Sequence, residues 1–258
     1  MFINNIDPVL FKIGMFEIRY YGLIFVLGFI ISYFFLVYFI KKGKLELKVK
    51  KLDDLFLYLV LGIVIGARLF YVFFYSPEML FAPASILRVW EGGLAFHGGL
   101  IGAIVAVIFF SRRNKIKVIQ VFDALAVPAS LSLAFGRIAN FTNHELYGYV
   151  TNVPWCVVFR TADGCRHPYQ LYAFLSHLIM FSIIIYVYNR QRKEGSSFWA
   201  FILVYGAFRF LTDFFKIEYK YFGLGIGQIA SIIMVGLALY AIIKKKLIVF
   251  DTRSKDKA

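Results

Sequence analysis

Acidic residues are scarce in this chain: 15 Asp and Glu stand against 29 Lys and Arg in 258 residues. Polar stretches are scarce too, because 60% of the residues are hydrophobic and the mean hydropathy is +0.72. A soluble domain carries about 45–50% apolar residues and has no core large enough for this excess. A soluble fold is excluded. Cysteine is limited to Cys156 and Cys165, which lie in one loop and form no metal-binding pattern. In an extracytoplasmic loop they can pair; otherwise they are two free thiols. No zinc motif, phosphate-binding glycine loop or serine elbow occurs, and neither does an Asp-rich metal-binding membrane helix. Repeats and low-complexity segments are absent. So is a cleavable leader: the first apolar run, Tyr20 to Ile40, exceeds the about 7–15 residues of a signal core and has no small-residue cleavage site.

What is present is a series of apolar runs, each about the 20 residues that cross a bilayer as a helix. They run from about Tyr20 to Ile40, Leu55 to Tyr75, Leu94 to Phe110, Val118 to Ile138, Tyr169 to Tyr188, Phe198 to Phe214 and Gly223 to Ile243. Lipid cannot satisfy an open sheet, so the class is all-α, a polytopic membrane protein of seven helices. The net charge of +14 resembles a nucleic-acid signal until it is mapped. Of the 29 cations, 19 lie in four clusters, Lys41–Lys51, Arg112–Lys117, Arg190–Lys193 and the tail from Lys244. Each flanks an apolar run, which is the positive-inside pattern and not a basic groove. Seven spans put every cluster on the cytoplasmic side, with the amino terminus outside and the carboxyl terminus inside. Residues 1–245 then form one transmembrane domain, and 246–258 a basic cytoplasmic tail. An extracytoplasmic head occupies about 142–168. Met1 to Arg19 reads as a short amphipathic entry with turn signals at Asp7-Pro8 and Gly14.

Three arginines stand inside apolar runs: Arg68, Arg137 and Arg209. Each costs roughly 2.5–3.5 kcal/mol at mid-membrane on translocon scales, so each needs a partner or a ligand. For Arg68, Tyr71 and backbone carbonyls can serve. Arg137 and Arg209 fall near the outer ends of their helices, where two cations at one depth repel unless an anion lies between them. Asp213, four residues after Arg209, supplies part of that charge, and a phosphate suits the remainder. Arg137 belongs to the stretch Gly136 to Gly148, which also holds Asn140, Asn143, His144 and Glu145. Arg137 and Asn140 share a helix face. His97 precedes Gly98 and Gly99, where bare backbone lets a helix or a substrate approach, and imidazole suits proton transfer near neutrality. Tyr20 and Tyr21 read first as interface aromatics, as does Trp90, and Gln228 as a packing amide.

His97, Arg137, Asn140, Glu145, Arg209 and Tyr21 all map to outer helix ends, at the phosphate level of the outer leaflet. That placement suits an anionic phospholipid headgroup and a metal-free group transfer. A transporter or channel for an anionic solute would need polar residues along the whole path. A purely structural anchor would leave three arginines without a purpose.

The same residues resemble the prolipoprotein diacylglyceryl transferase family over nearly the whole chain. The signature is Gly136-Arg137-Ile138-Ala139-Asn140-Phe141 followed by Asn143, Glu145 and Gly148. Supporting motifs are Tyr21-Gly22, Gly66-Ala67-Arg68, Trp90 to Gly93, His97 to Gly102, Arg166 to Tyr172, and Tyr205 to Arg209. The resemblance implies transfer of a diacylglyceryl group from phosphatidylglycerol to the lipobox cysteine of a preprolipoprotein signal peptide at the bacterial inner membrane, on the extracytoplasmic side. It implies no cofactor, no metal and no nucleic acid. Residues matching Tyr21, His97, Arg137, Asn140, Glu145 and Arg209 are those tied to activity. Arg137, Asn140, Arg209, Gly98 and Gly99 are expected to hold the lipid, and His97 to orient or deprotonate the thiol. Asp213 stands where the family usually has Glu, Ala173 where it has an acid, and His144 and Ala139 where it has Gly.

Overall fold

The computed structural model describes residues 2–14, 16–190 and 193–247; the expected tail beyond Leu247 lies outside the described residues. Seven described helices are long and apolar enough to cross a membrane. They are α1 (Tyr20–Lys41), α2 (Leu52–Phe74), α4 (Phe96–Arg113), α5 (Val118–Thr142), α6 (Tyr169–Arg190), α7 (Ser196–Thr212) and α8 (Ile226–Lys245). A short α3 (Pro83–Leu87) lies between α2 and α4. Each expected run becomes one helix, so the protein is an all-α, multi-pass membrane protein. Alpha5 reaches four residues beyond the expected Ile138, which puts Arg137 and Asn140 on the same helix.

The chain forms two compact units, Leu36–Phe122 and Met1–Phe35 joined with Asp123–Ala258. In the first, α2 packs on α4 through glycines. A Cβ on Gly66 would sit 3.0 Å from the Gly102 Cα and closer still to the Gly98 carbonyl oxygen, so only bare backbone allows this contact. Arg68 is buried beside that seam, and its guanidinium donates to five carbonyls, those of Ile86 (2.9 Å), Gly92 (2.6 Å), Gly93 (3.1 Å), Ser85 (2.6 Å) and Arg88 (3.3 Å). The connection from α2 to α4 is wrapped around this one cation. Phe81, Leu87 and Trp90 remain exposed on the connection.

The second unit adds short strands outside the spans, which the apolar pattern does not foretell. Strand β1 (Phe2–Asn4) pairs in parallel with β4 (Val157–Phe159), and β4 pairs antiparallel with β5 (Cys165–Arg166). Strands β2 (Val9–Ile13) and β3 (Phe16–Arg19) form a hairpin, in which Glu17 lies between Lys12 at 2.7 Å and Arg19 at 2.8 Å. Hydrogen bonds from Lys12 and Arg19, reinforced by their positive charges, hold its carboxyl below the usual carboxylate range. A last pair, β6 (Lys220–Tyr221) and β7 (Leu224–Gly225), precedes α8. Phe141, Val157 and Phe159 form a small core under the expected head, with Ile6, Tyr147 and Leu171 against it. Asn4, fully buried, donates to the Phe141 carbonyl at 2.8 Å and ties the amino terminus to the end of α5. Cys156 and Cys165 form a disulfide, which decides between pairing and free thiols.

Candidate active site

Helix α7 carries Tyr205 and Arg209, and Asp213 follows at its C-terminal cap, so the three stand at four-residue intervals on one face. Arg209 Nη1 donates to the Tyr205 hydroxyl at 2.7 Å. Its Nε faces Asp213 Oδ2 at 3.4 Å, an ion pair in which neither atom has a hydrogen-bond partner among the described residues. The two members differ in exposure, with the Arg209 side chain 29% accessible and that of Asp213 0%. A carboxylate so enclosed needs a further donor, and α6 supplies it: the Tyr169 hydroxyl donates to Asp213 Oδ1 at 2.5 Å. The face of the Tyr169 ring lies 5.7 Å from the guanidinium carbon of Arg137, a cation–π contact. Two turns along α6, buried His177 stacks on the Tyr205 ring at 5.7 Å and 19°. Alpha8 closes on this group at Gly227, where a Cβ would fall 3.1 Å from Arg209 Nη2 and against the Asp213 carboxylate.

A second cluster forms where α5 ends. Glu145 Oε1 accepts from the side-chain amides of Asn140 at 3.1 Å and Asn143 at 3.3 Å. Its backbone is fixed from both sides, its N–H donating to the Asn140 carbonyl at 3.1 Å and its carbonyl accepting from Gln170 Nε2 at 2.6 Å. The carboxylate is thus aimed by two amides while remaining exposed. Tyr21, in the first turn of α1, lies within electrostatic reach of both Glu145 and Arg137. Tyr21, Arg137, Asn140, Glu145 and Arg209, chosen from sequence, therefore fall in one unit, where Tyr169 and Asp213 link Arg137 to Arg209 and Asn140 holds Glu145.

His97, Gly98 and Gly99 belong to the other unit. There His97 opens α4, exposed, with its ring 6.0 Å from that of Phe70 and 5.9 Å from that of Phe96. Gly98 is a contact point with α2, since a Cβ there would strike the Gly66 carbonyl. Arg68 serves its own loop, as the carbonyl alternative anticipated. Gln228 caps α8, accepting from the Gly225 N–H at 3.0 Å, and its Nε2 donates to the Phe210 carbonyl at 3.2 Å.

Sequence reasoning passed over Tyr169, His177 and Tyr205 as site members. Tyr205 was accessible from its spacing to Arg209, and His177 from being an ionisable residue inside a span. Tyr169 belongs to the Arg166–Tyr172 motif, but its role carries no local signal, because its partners lie on other elements. Chemically the unit offers two guanidiniums, one only partly neutralised, beside an amide-held carboxylate. Guanidinium forks suit phosphate oxygens, and a carboxylate suits a proton or a hydroxyl.

Residues 8–244 match the family model described as prolipoprotein diacylglyceryl transferase. A protein of Geobacter sulfurreducens named phosphatidylglycerol–prolipoprotein diacylglyceryl transferase is 39% identical over 252 residues, covering 94% of this chain and 97% of that one. Proteins of the same name from Rickettsia bellii and Bordetella parapertussis are 38% and 41% identical, over 93% and 92% of this chain and 95% of each relative.

Proposed function

The chain belongs to the prolipoprotein diacylglyceryl transferase family and is a membrane transferase, and from that premise we propose that it moves the sn-1,2-diacylglyceryl group of phosphatidylglycerol onto the lipobox cysteine of preprolipoproteins. The bond from the diacylglyceryl carbon to the phosphate oxygen breaks, and the cysteine sulfur takes that carbon as a thioether. The thiol loses its proton, and glycerol phosphate leaves with the bonding electrons.

The observation that carries this reading is the linkage of Arg137 and Arg209 through Tyr169 and Asp213 in one unit, with Asp213 the one carboxylate on the path between the two cations. A phosphodiester supplies the missing negative charge, and the charge that develops on its oxygens as it leaves is met by fixed donors. Arg137 and Asn140 hold the headgroup, while Arg209 stabilises the departing phosphate. Glu145, aimed by Asn140 and Asn143, receives a proton or a headgroup hydroxyl, and Tyr21 orients it. His97, with Gly98 and Gly99 behind it, orients or deprotonates the thiol. The seven helices act as one transmembrane domain in the inner membrane, with the head at about 142–168 and the site facing the extracytoplasmic leaflet.

The test incubates purified protein with phosphatidylglycerol vesicles and a lipobox peptide and weighs the peptide by mass spectrometry. Wild type adds a diacylglyceryl mass to the cysteine, and Arg137→Ala or Arg209→Ala reduces the rate at least about a hundredfold, the scale of losing one fixed donor to a developing oxyanion. Product at the wild-type rate from either variant would overturn the assignment.

A further inference from the structure

The connection from α7 to α8 is patterned inside out. Lys216 and Glu218 pair at 3.0 Å with side chains only 18% and 15% accessible. The Glu218 carboxylate lies against Gly225, where a Cβ would strike it. Between and beyond these charges Ile217, Tyr219 and Tyr221 face outward, Tyr219 75% exposed, with the two tyrosine rings edge to face at 4.8 Å. A loop bathed in water turns its charges out and its apolar groups in. The reversed order fits surroundings less polar than the interior of the loop.

The tip adds a second, independent observation. Strands β6 and β7 are joined by Phe222-Gly223, with φ of 50° and 82°, a two-residue turn in which Asn-Gly is the favoured pair. Phe222 thus takes a left-handed backbone that a bulky side chain rarely adopts. Its ring is fully exposed, so no packing within the protein offsets the cost. What the ring gains lies outside the chain.

We propose that this hairpin is seated in the lipid interface at that end of α7 and α8, with Phe222 as its wedge and the two tyrosines at headgroup level. A bilayer fits better than a peptide because the hairpin continues directly from two spans and combines phenylalanine, tyrosine and a cation, as interfacial belts do. The cation is Lys220, whose ammonium lies 5.3 Å from the centroid of the Tyr149 ring. The connection runs from Asp213 to Gly227, the two residues against Arg209, so the anchor also holds the site at headgroup depth. Only this last role rests on the phospholipid reading of the site.

Depth is measured with a nitroxide on Tyr219→Cys in vesicles containing phosphatidylglycerol; Cys156 and Cys165, being bonded, take no label. Collisions with dissolved oxygen should exceed those with a water-soluble nickel chelate, and the order should reverse at Asp163→Cys, which is exposed in the head. Nickel access at 219 equal to that at 163 would overturn the proposal. So would protection that appears only after a lipobox peptide is added, which would make the hairpin a peptide surface. Phe222→Asn removes the wedge but suits the turn, so it should melt at or above wild type in detergent. It should raise the KM for bilayer phosphatidylglycerol about tenfold, the scale of withdrawing one Phe from apolar surroundings, and that for a dispersed short-chain form less than about twofold. A wild-type KM in the bilayer, or an equal loss with both lipids, would sink the anchoring role. Wild-type protein without transferase activity would defeat the phospholipid reading and leave the depth measurement standing.

Discussion

His144 shows how a single residue can be set against its own backbone. It adopts φ of 56°, the left-handed region that glycine enters freely and a branched-at-Cβ or bulky side chain seldom does. The imidazole offsets that cost: Nε2 lies 2.7 Å from the Ile6 carbonyl, the ring is buried, and the His144 carbonyl accepts from Thr161 Oγ1 at 2.6 Å. His144→Ala keeps the unfavourable backbone and loses the hydrogen bond, so it should destabilise by about 2 kcal/mol. His144→Gly loses the same bond and relieves about 1 kcal/mol of backbone cost, leaving a smaller deficit. Thermal unfolding in detergent should therefore rank wild type above Gly and Gly above Ala; Ala melting at or above Gly would refute the account. The glycine expected at this position was legible as a departure from the family pattern, but the compensation was not, because Ile6 lies far away in sequence. Arg68 makes the opposite case. Its alternative of backbone carbonyls could be written down from sequence, and five carbonyls now occupy it.

At the scale of elements, apolar run length and flanking cations were enough to locate all seven spans, because lipid demands both signals locally. The ends of the helices answer to more distant residues. Alpha7 begins at Ser196, before the expected Phe198, because a buried carboxylate on α5 caps it. Asp123 accepts from the Gly195 N–H at 2.5 Å and the Phe198 N–H at 2.8 Å, doing from another helix what a local N-cap side chain does. Asp123→Ala should cost about 2 kcal/mol and Asp123→Asn, which keeps one acceptor, about half as much. Hydrogen exchange offers a local check: the amides of Gly195 and Phe198 should lose protection first in Asp123→Ala, and unchanged protection there would contradict the cap. The strands escaped the sequence reading for the same reason. Phe2 pairs with Val157 across most of the chain, and three-residue strands without an alternating pattern carry no signal until that partner is present. Tyr169 stood out only as part of the Arg166–Tyr172 motif, and its role did not, since nothing near it in sequence announces Asp213 or Arg137.

For the whole molecule, two independent features bear on the proposed orientation. Cation clusters follow α1, α4, α6 and α8, so an odd number of crossings separates each from the connection between α5 and α6. That connection holds the Cys156–Cys165 disulfide, a bond that persists in oxidising compartments and not in the cytosol. Charge and redox chemistry thus support the same proposed orientation, although neither depends on the other. The prediction is a labelling pattern. In intact spheroplasts, a membrane-impermeant maleimide should modify Cys156 and Cys165 only after an impermeant phosphine has reduced them, Cys156 more slowly because it is buried. A cysteine introduced by Lys44→Cys, on the connection after α1, should react only after the membrane is opened. Labelling of Lys44→Cys in intact cells would invert the orientation and put the arginine pair at the cytoplasmic leaflet. The same outcome would leave the disulfide in a reducing compartment, so the labelling of one engineered cysteine and the redox state of two natural ones must change together.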